Sequence, residues 1–140
     1  ITEIRKYTDK PIIIRPHPRN HVVIDTAKYK NVKMVGPRRD KNTYDDTDLA
    51  ERLKSAWAVV SHSSNPAMTA VFSGIPVYVS EASLSYDVGN KTFENINNPD
   101  MPDRQKWTNK LAYTEWFEDE IGQGLPWKRI KARLEEKYIK

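Results

Sequence analysis

The chain has 140 residues, 38% hydrophobic and 30% charged; that is enough for one well-buried core, too short for two ordinary domains, and unlike a disordered chain. It has no cysteine and a formal net charge of +4 at pH 7, which excludes a disulfide scaffold and any thiolate metal site and does not by itself make a nucleic-acid binder. No apolar run approaches the roughly 20 residues of a membrane span, no charged-then-apolar leader opens the chain, and the first residue is Ile1; the expectation is a cytoplasmic fragment, soluble or peripheral to a membrane.

Residues 2–8, TEIRKYT, read as the end of a helix that Lys10-Pro11 closes. Ile12-Ile13-Ile14-Arg15 predicts a strand, and three consecutive isoleucines predict burial on both faces, as in a parallel sheet flanked by helices. The strand runs into Pro16-His17-Pro18-Arg19-Asn20, where two prolines hold the backbone extended around a histidine. Residues 22–24 fit either a short strand or a buried loop, and 32–35 predict a strand closed by Gly36-Pro37. After a charged loop at 38–42, Asp48 and Glu51 match the capping-box pattern with Asp in place of Ser or Thr, and Leu49, Leu53 and Ala56 mark a helical face.

The stretch 57–80, WAVVSHSSNPAMTAVFSGIPVYVS, reads as strand, polar loop, short helix and strand. Ser61-His62-Ser63-Ser64 breaks the apolar run at Val60; Asn65 then stands as N-cap before Pro66, and Gly74 where a left-handed C-terminal cap is wanted. The first loop of this β-α-β unit brings hydroxyls and an imidazole to a helix N-terminus, chemistry suited to an anion and to phosphate above all. Residues 80–100 form a long irregular region with Glu81, Ser85, Gly89 and Asn90, of a length associated with function or mobility. Met101-Pro102 opens a helical segment carrying Trp107 and Leu111, Gly122 and Gly124 interrupt it, and Pro126-Trp127 starts a basic helix to about Tyr138. The basic residues from Lys128 to Lys140, broken by Glu135 and Glu136, fit a solvated helix face; membrane-surface or nucleic-acid contact is the competing reading.

Strands near 12–15, 32–35, 58–61 and 76–79 with helical crossings predict an α/β fold whose sheet is parallel, so that the loops after the strands emerge at one edge, where such sheets bind ligands. Those loops carry His17, Arg19, Arg38, Arg39, His62, Ser63, Ser64 and Glu81. Taken alone, His17 is open between a surface loop histidine and a catalyst, and Ser63-Ser64 between ordinary cap residues and phosphate ligands. His62 reads as a structural side chain, and Met68, Phe72 and the tryptophans read as core. Dinucleotide, P-loop and nucleophile-elbow glycine motifs are all missing, and three histidines without a His-x-x-x-His pair predict no metal site.

Ile14-Arg15-Pro16-His17-Pro18-Arg19 resembles the Lys/Arg-Pro-His-Pro segment of bacterial capsular-polysaccharide glycosyltransferases. Val60-Ser61-His62-Ser63-Ser64-Asn65, with Ala70 to Val77, resembles their Ser-Ser/Thr loop, helix and Gly-x-Pro-Val strand, and 111–127 is similar to the C-terminal signature of the capsule-synthesis group, which includes polysialyltransferases and Kdo transferases. The resemblance implies a GT-B architecture of two Rossmann-like domains, with residues 1–140 as the single nucleotide-sugar-binding domain and the N-terminal acceptor domain lying outside them. It implies a CMP- or UDP-linked sugar as donor and inverting transfer to a saccharide or other hydroxyl acceptor; the donor is a substrate, and with no metal motif in the sequence no cofactor is expected. It assigns His17 to departure of the nucleotide phosphate and Ser63 and Ser64 to holding it; Arg15, Pro18, Arg19, Ser61, His62, Asn65 and Glu81 are the accompanying nucleotide contacts. The base that deprotonates the acceptor belongs to the family's other domain. Two other classes stand beside this one: a non-catalytic binding or assembly module of the same fold, and a nucleic-acid-binding or DNA-modifying protein.

Overall fold

Short apolar runs separated by proline, glycine and polar clusters yield equally short elements. A computed structural model describes residues 1–17, 22–36, 39–40, 43–44 and 47–138. Their elements are, in order, α1 (Thr2–Arg5), β1 (Ile12–Ile14), a 3-10 turn (Thr26–Lys28), β2 (Val32–Met34), β3 (Arg39–Asp40), β4 (Thr43–Tyr44), α2 (Thr47–Leu53), β5 (Val59–Ser61), α3 (Pro66–Phe72), β6 (Val77–Val79), a second 3-10 turn (Tyr86–Val88), α4 (Gln105–Thr114), α5 (Glu118–Gly122) and α6 (Leu125–Tyr138). They fall into two compact units, Ile1–Asp103 and Arg104–Lys140.

The first unit is mixed α/β. β1 pairs with β2 in parallel, Ile13 opposite Lys33, and β5 pairs with β6 in parallel, Val60 opposite Tyr78. The four expected strands are therefore present, but among the described residues they form two separate two-stranded sheets rather than one. Each is only three residues long, and the middle residues Ile13 and Val60 are 50% and 46% exposed. The expected burial of the isoleucine run on both faces is thus corrected: in a two-stranded ribbon without helices on both sides, alternate side chains face solvent. Residues 22–24 hold no strand.

Arg5 ties the two ends of the first sheet together. Its guanidinium donates to the carbonyls of Thr8 and Lys10 ahead of β1, and to those of Lys30 and Asn31 ahead of β2. Asn31 takes the left-handed conformation there (φ 55°), a region Asn tolerates better than most residues, and its carbonyl accepts the Ile12 N–H at 2.8 Å. In the second sheet α3 makes the crossing and buries Ala67, Ala70 and Val71, which share one helical face. Gly74 ends it at φ 81°, with the Gly74 N–H donating to Val71 O and the Ile75 N–H to Ala70 O, the paired bonds of a Schellman cap.

Two local expectations fail for identifiable reasons. Asp48 does not cap α2 but lies within it, fully buried, where its carboxylate accepts from Arg15 and from Arg52 Nε at 2.8 Å. Asn65 occupies the N-cap position of α3 in helical geometry (φ −54°, ψ −33°), so its side chain makes no cap bond; a side-chain cap needs extended backbone. The tryptophans and Phe72 were also expected in the core, yet Trp107 is buried while Phe72, Trp57 and Trp127 are more than half exposed. Trp57 is held by its indole N–H on Ile96 O at 2.7 Å, with the Lys10 ammonium 4.1 Å from the ring.

Residues 80–100 are irregular but fastened. Thr8 Oγ1 donates to Asn97 Oδ1, Asn97 Nδ2 donates to Tyr7 O, and Trp57 reaches Ile96 as above. Within the region Asn90 is 5% exposed, and its amide uses both ends: Nδ2 donates to Asp100 O (3.1 Å) and Val77 O (3.4 Å), while Oδ1 accepts from Asn95 Nδ2 (2.6 Å) and the Asp100 N–H (2.9 Å). Asn95 Nδ2 also donates to Asp100 Oδ2, and Asn95 Oδ1 accepts from the Tyr78 hydroxyl at 2.9 Å.

The second unit is helical. Trp107 and Leu111, four apart on α4, are buried, alone among the described residues of this unit. Gly124 (φ 72°) turns the chain from α5 into α6. Arg129 of α6 lies 4.2 Å from the Tyr113 ring and 4.3 Å from the Trp116 ring and donates to Tyr113 O at 2.5 Å.

Candidate functional site

Parallel pairing of β5 with β6 puts the loops that follow them at the same end of the sheet. His62 O accepts from both the Ser80 N–H (3.1 Å) and the Ser80 hydroxyl (2.9 Å), which laces the two loops together. Ser61 Oγ accepts the Ser64 N–H at 3.1 Å and so shapes the first loop from within. Beyond β6 the chain returns: Asn90 forms a parallel bridge with Tyr78, its N–H donating to Val77 O at 2.8 Å, and this brings Lys91 beside the same sheet.

The result is a concavity of about 310 Å³. Ser61, His62, Ser80 and Lys91 supply polar lining, and Val60 and Phe93 supply apolar lining. Phe93 is itself set against Tyr78, ring centroids 5.4 Å apart. A second concavity of about 370 Å³ adjoins it, shares Asn90 and Lys91, and includes Asp87, Thr92 and Asp100. Lys91 donates to Tyr86 O and its ammonium lies 3.2 Å from the Tyr86 ring centroid. Burial pushes the Lys91 ammonium below the usual lysine range, while the charges of Asp87 and Glu81 pull it back up. Burial, with the Asp100 carboxylate second, raises the Tyr78 hydroxyl. A cation, two hydroxyl groups, an imidazole and an aromatic wall in one concavity can hold an anionic group attached to a flat or apolar ring.

Of the residues singled out from the sequence, Ser61 and His62 line this concavity, and exposed Glu81 is within electrostatic reach of Lys91. Ser63, Ser64 and Asn65 are exposed in the β5–α3 loop and lie outside the lining. Arg15 pairs with buried Asp48, and His17 is exposed just beyond β1. Pro18, Arg19 and Arg38 lie outside the described residues. α3 has only seven residues, so its N-terminus alone does not make an anion site. Lys91 is the side chain of the concavity that sequence reading misses; the one available signal was the Gly89-Asn90 pair just before it, which marks a close approach of backbone in an otherwise polar stretch.

Among the described residues no group of three or more histidine or acidic side chains is placed to hold a metal ion, and no helix is long and apolar enough to cross a membrane. Comparison of the chain with family models, with curated proteins and with solved structures found no match.

Proposed function

We propose that residues 1–140 are the nucleotide-sugar-binding half of a GT-B glycosyltransferase, a Rossmann-like domain that takes a CMP- or UDP-linked sugar for inverting transfer to a saccharide or other hydroxyl acceptor. The observation that carries the reading is the concavity after β5 and β6, where Ser61, His62, Ser80 and Lys91 meet an apolar wall. The motif resemblance through His17 and Ser63-Ser64 gives the ligand its class. In this scheme the acceptor oxygen attacks the anomeric carbon and the bond from that carbon to the phosphate oxygen breaks. The acceptor proton passes to a base on a separate acceptor-binding domain. His17 donates a hydrogen bond or proton to the departing phosphate, and Ser63, Ser64 and Lys91 stabilise its charge. Glu81 and Arg19 contribute nucleotide contacts, and Arg15 does so only with donors left over from Asp48.

Titration of the ¹⁵N-labelled chain with CMP- and UDP-sugars tests it. Shifts are expected at 61–64, 80–81 and 91, and a titration that leaves all of them unmoved overturns the assignment. When the chain is joined to a base-bearing acceptor domain, His17→Ala is expected to lower kcat by about 10²- to 10⁴-fold with donor affinity nearly kept. A loss confined to KM would remove His17 from the chemical step. Donor binding without transfer or hydrolysis in that joined protein would favour the non-catalytic module.

A further inference from the structure

α6 carries an apolar stripe that no described residue of its own unit covers. Trp127, Ile130, Leu134 and Tyr138 are 61%, 50%, 42% and 67% exposed. At about 100° per residue they fall within an arc of roughly 80°, along a helix about 21 Å long. Arg129, which packs on Tyr113 and Trp116, lies about 140° from the centre of that arc. The stripe therefore faces away from the side of α6 that meets the rest of the unit. Lys131 and Lys137 flank it, each about 20° outside the arc, while Glu135 and Glu136 lie farther round the helix. Lys131 makes an exposed 3.6 Å pair with Glu135, which leaves it open to a competing anion.

We propose that α6 is a docking surface for an anionic lipid bilayer, lying in the interface with its stripe in the headgroup–acyl boundary and its lysines on the lipid phosphates. The chemistry of the stripe selects this occupant. Trp127 and Tyr138 stand at its two ends, and both pair an apolar ring with a polar tip suited to headgroup depth. Cationic edges on both sides of an apolar band are the arrangement of interfacial helices. The helix lies on the surface and does not span it, in keeping with its length and charge. This proposal is independent of the nucleotide-sugar reading.

The test is co-sedimentation of the full chain with phosphatidylcholine vesicles, with and without phosphatidylglycerol as about a third of the lipid. Binding is expected to the anionic vesicles, to weaken as salt rises, and to fall about 30-fold when Trp127→Ser and Leu134→Ser are combined. Lys131→Glu with Lys137→Glu leaves the apolar stripe intact and is expected to reduce anionic binding to the level of neutral vesicles. Circular dichroism of each variant reports whether α6 remains folded. Absence of vesicle binding overturns the proposal, as does binding that survives the lysine reversals. A concentration-dependent dimer abolished by the Trp127/Leu134 pair, or oligonucleotide binding abolished by the lysine reversals, would assign the surface to another partner and overturn it too.

Discussion

Asn90→Ala should be the most informative single change in the first unit. The Asn90 amide makes hydrogen bonds of 2.6, 2.9 and 3.1 Å to Asn95 Nδ2, the Asp100 N–H and Asp100 O, and a long one of 3.4 Å to Val77 O. Three good bonds at about 1 kcal/mol each set an expected loss of about 3 kcal/mol, since the long bond adds little. Partners stranded out of water push the loss up, and water entering the space left behind pulls it down. With a urea slope of roughly 2 kcal/mol per molar, the midpoint should fall by about 1.5 M. The assay is urea unfolding followed at amide resonances of 77–96, so that the first unit is read separately from the helical one. Asn90→Ala combined with Asn95→Ala should cost less than the two singles added, because both break the 2.6 Å bond. A loss under 1 kcal/mol, or full additivity, would refute a single shared network.

Gly89→Ala places a methyl 2.8 Å from Val79 Cγ2 and 3.2 Å from Ser85 O; the stiff valine cannot yield freely, and a loss of about 1–3 kcal/mol is expected from the same urea assay. Ser85→Ala should do the opposite, raising stability by about 1 kcal/mol in that assay, because the Ser85 hydroxyl is buried with no hydrogen-bond partner among the described residues. Asp48→Asn should cost about 2–4 kcal/mol by removing the anion that holds Arg15 and Arg52, both partly exposed, and thermal denaturation with and without 1 M salt checks it. The Tyr78 hydroxyl titrates above its ordinary value near 10, chiefly through burial. Its contribution is therefore full below pH 10 and lost as pH climbs through the raised folded value, since the unfolded chain gives up the proton first. Wild type should accordingly lose stability more steeply than Tyr78→Phe above pH 10, and equal slopes would refute that.

The four strands were legible because short β-branched runs closed by proline or polar clusters have few other outcomes. The turn at Gly74 was legible because the left-handed cap selects glycine. α6 was readable from Pro126 and the charge pattern to within a residue. What sequence could not supply was the arrangement of the strands. Whether two parallel pairs fuse into one sheet depends on what covers each face, and Ile13 and Val60 look the same in a run of letters whether covered or bare. Asp48 shows the same limit on a smaller scale. Asp followed three residues later by Glu fits a cap pattern, but the arginine that decides its role stands 33 residues earlier at Arg15.

The candidate site divides along the same line. Ser61 and His62 could be found because they end an apolar strand, and the end of a strand in a parallel pair is where ligand chemistry gathers. Lys91 could not, because its position depends on a bridge between Tyr78 and Asn90 and on an amide network closing at Asp100. Gly89 permits that bridge by bringing bare backbone against Val79, Asn90 fixes it, and Lys91 is the next residue. The long irregular region, whose length fits either function or mobility, is thus the wall that brings a cation to the concavity. A consequence separates it from a merely stable loop: Asn90 variants should weaken anion binding more than Asp48 variants of equal stability loss, because only the former release Lys91.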